Sequence, residues 1–326
     1  MQGYAAKLVI KDMGGESTGM KVAVTGATGL VGRALVAELL ARGAEVRVLS
    51  RQPAAARMVL GEDCDYFAWA PQAHELDEDA LSGATAVVHL AGEPVIGGRW
   101  TPRRKKAIFE SRAGGAQLIS STMAAMSVES RPRVFVSASA VGYYGDHGSY
   151  RVDETTPPGH DFLAEVCQAW EQGVMDAESL GIRTATVRIG LVLSADGGAF
   201  TRLHRIFKLR LGGELGSGRQ WLSWIHIDDL VAMFCFVLEH EGIRGAINGV
   251  APRPVTNTEF TVRLSEALGA AAFLDVPAFA LRWVYGEQAG LFLSSARVVP
   301  NRASKLLFGF RYPELSLAFH DLLGHG

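Results

Sequence analysis

The sequence predicts an α/β fold in which a doubly wound parallel sheet carries a small, interleaved C-terminal lobe. Three observations predict it. Short apolar runs alternate with helical stretches from Met20 to Ile189, the pattern of parallel strands joined by right-handed crossovers. A glycine-rich turn follows the first of those runs. Beyond Gly190 the alternation loosens into short strands, glycine turns and a proline-punctuated tail, and no composition shift marks a linker. The chain is therefore divided into a flexible lead-in (1–19), a sheet domain (20–190) and a C-terminal region (191–326) that is mostly a substrate lobe with segments returning to the sheet.

The stretch Met20 to Gly32 reads as a buried strand, a tight turn and the start of a helix. Gly26, Gly29 and Gly32 recur every third residue. Lacking Cβ atoms, they let backbone N–H groups approach a diphosphate, which then sits at the positive end of the helix. The helix follows with Val31, Leu35 and Leu39 on one face, and Gly43 supplies its stop. A second strand, Glu45–Ser50, arrives at the spacing this context requires, so the domain is Rossmann-like and binds a dinucleotide. An NAD-selective fold places an acid near the end of that strand to accept from the ribose hydroxyl. Here Ser50 and Arg51 stand there instead, with Arg57 close behind. A hydroxyl and a guanidinium suit a 2′-phosphate, so the expected cofactor is NADP(H).

A third strand is expected over Tyr66–Ala70 and a fourth from Val87, ending in the small residues Ala91 and Gly92 where a ligand can approach the sheet edge. Thr101 and Pro102 are suited to the N-cap and first position of a long helix running from about Arg103 to Met126. The fifth strand, Val134–Ser137, opens into a hydroxyl-rich loop, Ala138 to Gly145. A helix over Phe162–Leu180 leads to the sixth strand, Thr184–Ile189. In the C-terminal region the pattern predicts a helix over Phe200–Leu211, a short strand Trp224–Ile227, and a helix capped by Asp228 and running to His240. A strand Ala246–Asn248 and a capping box Thr256–Glu259 complete the sequence of elements.

A formal net charge of −2 gives no electrostatic reason to expect nucleic acid or an anionic membrane surface as partner. The basic run Arg103 to Lys106 reads as solvated first turns of a helix. Cys64, Cys167 and Cys235 are odd in number and far apart, which suits buried, reduced thiols in a cytoplasmic protein rather than disulfides or zinc ligands. No metal site is expected among the histidines, and His226 reads as a core residue. No apolar run reaches the length of a membrane span, and the first residues lack the core of a signal peptide.

Taken together, these motifs resemble the extended branch of the short-chain dehydrogenase/reductase superfamily, and within it the "epimerase family" of NADP-binding proteins. The likeness covers nearly all of residues 20–322 and rests on Gly26-Ala27-Thr28-Gly29-Leu30-Val31-Gly32, Leu90-Ala91-Gly92-Glu93, Ser111-Arg112, Val187-Arg188-Ile189-Gly190, Gly216-Ser217-Gly218 and Trp224-Ile225-His226-Ile227-Asp228-Asp229. The resemblance implies that Gly26, Thr28, Gly29, Leu30 and Val31 hold the diphosphate, and that Ser50 and Arg51 hold the 2′-phosphate. It further implies that Leu90, Ala91 and Gly92 line the ribose side, that Arg112 reaches the cofactor, and that Arg188 to Leu191 flank the nicotinamide. For Arg112 and Arg188 the alternative is a structural ion pair or a helix-surface position.

One departure stands out. The superfamily's Tyr-x-x-x-Lys pair, in which the lysine eases proton exchange by the tyrosine, is missing. Its positions fall on Leu163 and Cys167, and the usual hydroxyl donor falls on Ala140, next to Ser139. Ser139 and Tyr143 remain as candidate catalytic groups, an arginine standing in for the lysine. Trp221 and Trp224 either wall the substrate pocket or belong to the core. Two functions follow: an NADP(H)-dependent oxidoreductase or epimerase acting on a small polar, nucleotide-linked or similar substrate, or a non-catalytic NADP(H)-binding regulatory or interaction protein.

Overall fold

The structure is a computed structural model describing residues 19–270 and 274–324. Most of the lead-in expected over residues 1–19 therefore lies outside the described residues.

The strands form where β-branched and small apolar side chains run together. β1 (Lys21–Thr25), β2 (Glu45–Ser50), β3 (Cys64–Ala70), β4 (Glu75–Leu76), β5 (Ala86–His89) and β6 (Val134–Ala140) join Arg183–Ile189 and Gly245–Gly249 in one eight-stranded sheet. From edge to edge the order is Gly245–Gly249, Arg183–Ile189, β6, β5, β1, β2, β3, β4. Every pair is parallel except β3 with the two-residue edge strand β4. Val22, Val24, Val87, Val88, Phe135 and Val136 are wholly buried, as strands covered on both faces require. The chain winds outward in one direction from β1 through β2 and β3, and in the other through β5 and β6. That reversal opens a crevice between the carboxyl ends of β1 and β5, where such sheets bind ligands.

α1 (Leu30–Ala41) packs against α7 (Ile227–Glu239), and α4 (Gly115–Ala125) packs against α5 (Phe162–Met175). The long helix expected over 103–126 is present, running over residues 102–125, but it is not α-helical throughout. α3 (Pro102–Phe109) passes through a π-helical turn, Glu110–Gly114, into α4. Thr101 caps α3 by accepting from Arg104 N–H at 3.2 Å. Arg104 and Lys105 are not simply solvated, since they pair with Glu93 and Glu287. α7 begins two residues earlier than expected, because His226 rather than Asp228 is its cap: His226 Nδ1 accepts from the Asp228 N–H at 3.2 Å.

The C-terminal region has its own core of Phe200, Phe207, Trp224, Phe260 and Phe319, built by α6 (Gly198–Lys208), α8 (Asn257–Leu268) and the helix Leu315–Leu323. It is tied to the sheet domain by Gly245–Gly249 in the sheet and by the parallel pair Arg151–Val152 with Arg297–Val298. The three cysteines are free and buried, and burial pushes Cys167 and Cys235 up to about 12. Among the described residues, no helix is long and apolar enough to cross a membrane.

Candidate functional site

The glycine turn sits in the crevice that the strand order opens. Gly26 has φ of +68°, and a Cβ there would stand 2.7 Å from the Leu90 and Ala91 backbone. A Cβ on Gly32 would overlap the Gly26 carbonyl and the Ala27 backbone. Both positions demand glycine for reasons of space. The start of α1 has no capping side chain and no acidic residue in its first turn, which leaves the N–H groups of Leu30 and Val31 for an anion. This is a cradle shaped for a diphosphate, and the donor set fits one.

Thr25, at the end of β1, locks that cradle to the neighbouring strand. Its hydroxyl accepts from the Leu90 and Ala91 N–H groups at 3.2 and 3.3 Å, so its own proton goes to His89 Nδ1 at 2.7 Å. His89 is fully buried between Trp69 and Trp170, and burial lowers its pKa to about 4. The neutral imidazole is what the contact with Thr25 needs.

Gly92 and Glu93 continue from there, and the π-helical turn grips them. Ser111 Oγ accepts from Glu93 N–H, and Arg112 Nη1 donates to the Glu93 carbonyl, each at 2.9 Å. A Cβ on Gly92 would stand 3.0 Å from the Arg112 guanidinium carbon, which also lies 5.3 Å from the Trp170 ring. Arg112 is thus placed beside the cofactor crevice with one nitrogen committed to the backbone. Burial lowers its pKa, opposed by Cys167 and Glu93.

Ser50, the last residue of β2, accepts from Gln52 N–H through its Oγ, and Arg51 just beyond it is exposed with no ion pair among the described residues. Arg57 is bound to Glu62 at 2.8 Å and lies over Tyr66. Of the two arginines, Arg51 is therefore the one free to meet a phosphate.

The other half of the site is a buried polar chain below the β6 loop. Ser139 donates to Glu171 Oε1 at 2.6 Å, and Glu171 takes a bidentate pair from Arg188, 2.8 Å on each side. Arg188 Nη1 donates to the Tyr144 hydroxyl at 3.0 Å, and Tyr144 donates to Asn248 Oδ1 at 2.7 Å. Arg188 and Glu171 are both buried. Burial works against the arginine's charge, but the hydrogen bonds and charge of Glu171 prevail and raise its pKa. Burial pushes Tyr144 up to about 12, against the pull of Arg188, so Tyr144 stays a neutral donor. The guanidinium of Arg188 also lies 3.4 Å from the centre of the half-buried Tyr143 ring. The Tyr143 hydroxyl makes no hydrogen bond to a described residue, although its backbone carbonyl accepts from the Gly159 N–H at 2.9 Å.

The structure therefore brings Ser139, Tyr143 and Arg188 together, and Gly26, Leu30, Val31, Leu90, Ala91, Gly92 and Arg112 in a second group. Leu191 lies just past the strand of Arg188, its N–H bonded to the Ser223 carbonyl at 2.8 Å. Thr28 is exposed in the glycine turn. Glu171 was not singled out from the sequence, although one signal was present. It is an acid in the buried stripe of α5 that contains Cys167, Trp170 and Val174, where a charge requires a partner. Trp224 is core and Trp221 is only partly buried.

Comparison with known proteins decides the family. Residues 22–248 match the NAD dependent epimerase/dehydratase family. The chain belongs to that family. Residues 276–322 also match a domain of unknown function, DUF1731. The epimerase family protein SDR39U1 homolog, chloroplastic, of Arabidopsis thaliana is 42% identical over 93% of this chain and 87% of its own length. The crystal structure of human epimerase family protein SDR39U1 (isoform2) with NADPH aligns with a TM-score of 0.83 at 32% identity, covering 94% of this chain and 100% of that one. A nucleoside-diphosphate sugar epimerase from Corynebacterium glutamicum aligns with a TM-score of 0.75 at 34% identity, over 94% of this chain and 59% of that one. The Rossmann-like fold and the epimerase-family resemblance read from the motifs both hold.

His226, Asp228 and Asp321 offer ligand atoms within 4.8 Å of one another. Their neighbours account for them as a structural knot. His226 caps α7, Asp321 accepts from the Tyr312 hydroxyl at 2.7 Å, and Arg311 stands 3.6 Å from Asp228.

Proposed function

We propose that the chain binds NADP(H) and serves as an oxidoreductase or epimerase on a small polar substrate, nucleotide-linked compounds included. The observation that carries this reading is the Tyr143 ring seated on the buried, permanently charged Arg188, with its hydroxyl left uncommitted. A fixed cation packed on the ring offers electrostatic support to charge that develops on its oxygen as a proton moves, the service that the missing lysine gives in the superfamily. Arg188 is held in place by Glu171, so the charge is fixed before substrate arrives. When bound, NADP(H) would supply or accept the hydride. Tyr143 exchanges the proton with the substrate oxygen, and Ser139, whose own proton is held by Glu171, is left to accept a hydrogen bond. Backbone N–H groups at Gly26 to Val31 hold the diphosphate, and Arg51 with Ser50 clasps the 2′-phosphate. The NADPH in the human SDR39U1 structure supports this choice of cofactor. The buried free thiols suit a reducing compartment such as the cytoplasm.

The test is NADPH turnover against a panel of carbonyl compounds and nucleotide sugars, with calorimetry for cofactor binding. Tyr143→Phe is expected to lower turnover by roughly 100-fold or more while leaving NADPH affinity unchanged. Tight NADPH binding with no turnover of any panel member would defeat the catalytic reading.

A second reading, a non-catalytic NADP(H)-binding regulatory or interaction protein, is favoured by the residues at the lost catalytic positions. Leu163 packs against Gly142, and the Cys167 thiol, 3.8 Å from the Ala140 carbonyl, is held protonated by burial. Under that reading the set of proteins captured from a lysate changes between cofactor-free and NADPH-loaded protein.

A further inference from the structure

A second concave site lies outside the cofactor crevice. It is a pocket of about 400 Å³ whose wall includes Arg151, Arg253, Arg297, Trp221, Glu259 and Asn301. None of these residues belongs to the glycine turn or to the Ser139–Glu171–Arg188 chain.

Arg151 and Arg297 are direct partners in the short parallel strand pair that ties the C-terminal region to the sheet domain. Like charges side by side on adjacent strands repel and destabilise the pairing. Both side chains are exposed, and neither forms an ion pair with a described residue. The acid closest in sequence, Asp153, is turned to Thr155 and Asn301 instead. Arg297 is held with its guanidinium 4.4 Å from the Trp221 ring centre, which orients its donors before any ligand arrives. Arg253 is steadied by Glu314 at 2.7 Å. Asp153 also feels the charges of Arg151 and Lys305, and setting Asp153, Glu259 and Glu314 against the three arginines and Lys305 leaves one positive charge in excess.

We propose that this pocket binds the phosphoryl group of a small, hydroxyl-bearing phosphomonoester. Two guanidiniums on one wall can each offer paired donors to phosphoryl oxygens, relieving their mutual repulsion. Glu259, which would repel a bare anion, accepts instead from a hydroxyl of the same molecule. The site is separate from the one that takes NADP(H), and its ligand is a second, independent small molecule.

The test uses full-length protein saturated with NADPH, so that the glycine turn takes up no added phosphate. Glycerol phosphate and inorganic phosphate are titrated at constant ionic strength and followed by calorimetry and melting temperature. Saturable binding is expected for glycerol phosphate, weakened about tenfold or more by Arg151→Gln and by Arg297→Gln, with NADPH affinity unchanged. Arg151→Lys, which keeps the charge but not the fork, recovers part of the loss. Inorganic phosphate is expected to bind more weakly than glycerol phosphate, and Glu259→Gln to narrow the gap. Absence of saturable binding by either compound, or binding that survives the double Gln variant, overturns the site. Equal affinity for the two compounds overturns the assignment of a phosphomonoester.

Discussion

At the scale of single residues, Arg51 and Arg57 show how partners decide function. Both follow β2, and the sequence puts Arg51 first at the 2′-phosphate with Arg57 close behind. Arg57 spends its charge on Glu62, whereas Arg51 has no ion pair among the described residues. Arg51→Ala should therefore weaken NADPH binding by about 1.5–3 kcal/mol, the worth of a charged hydrogen bond, and leave NADH almost unaffected. Titration calorimetry with both nucleotides checks this, and equal losses would remove Arg51 from the 2′-phosphate site. His89 gives a prediction in pH. Its folded pKa of about 4 lies below the ordinary value of 6.5, so below pH 6.5 the unfolded chain binds a proton that the folded chain refuses. Stability is fully present above pH 6.5 and falls by about 3 kcal/mol as pH drops toward 4. Denaturant unfolding across that range should show the loss in the wild-type chain and a shallower one in His89→Asn, which keeps an acceptor for the Thr25 hydroxyl.

At the scale of elements, what was legible in the sequence was whatever depended on local pattern. The β1 run, the glycine turn and the α1 stripe appear where Val22, Gly26 and Leu35 put them. Thr101 and Thr256 cap their helices through the N–H groups of Arg104 and Glu259. What was not legible depended on contacts far apart in the chain. Ser139, Glu171, Arg188 and Asn248 come from four different elements, and only the sheet order and the docking of α5 bring them together. The π-helical turn is the clearest miss. Its sequence, Glu110-Ser111-Arg112-Ala113-Gly114, reads as ordinary helix, yet the extra residue rotates both Ser111 and Arg112 onto the Glu93 backbone. Such bulges interrupt a helix at a cost and recur at functional sites. Ser111→Ala removes the side-chain acceptor that the Glu93 N–H finds among the described residues. Faster hydrogen exchange at Glu93, together with a several-fold weaker NADPH affinity, is the expected outcome. Unchanged exchange there would show that the turn holds its shape without Ser111.

At the scale of the whole molecule, the sheet domain and the C-terminal region are joined across the segment that follows Gly92. Arg99 Nη2 donates to the Trp283 carbonyl at 2.6 Å and Nε to the Val284 carbonyl at 3.3 Å, at the end of α9 (Ala278–Tyr285). Gln288 donates to the Val95 carbonyl at 2.5 Å, and Lys105 bonds Glu287 at 2.6 Å. The segment therefore has one end fixed by Ser111 and Arg112 next to the cofactor crevice and the other fixed by the C-terminal region. Phe279 and Trp283, on the outer face of α9, remain exposed, so little apolar burial holds this helix and the polar clasp carries more of the burden. Backbone carbonyls at a helix end receive a guanidinium well, because the dipole's negative end and the unpaired acceptors coincide. Arg99→Ala removes both bonds at once without touching the glycine turn. Hydrogen exchange should then rise by roughly tenfold over residues 95–100 and 283–288 together. NADPH affinity should stay the same, and the Michaelis constant for any substrate found should rise. Were only one of the two segments to loosen, the clasp would not couple the two parts of the molecule.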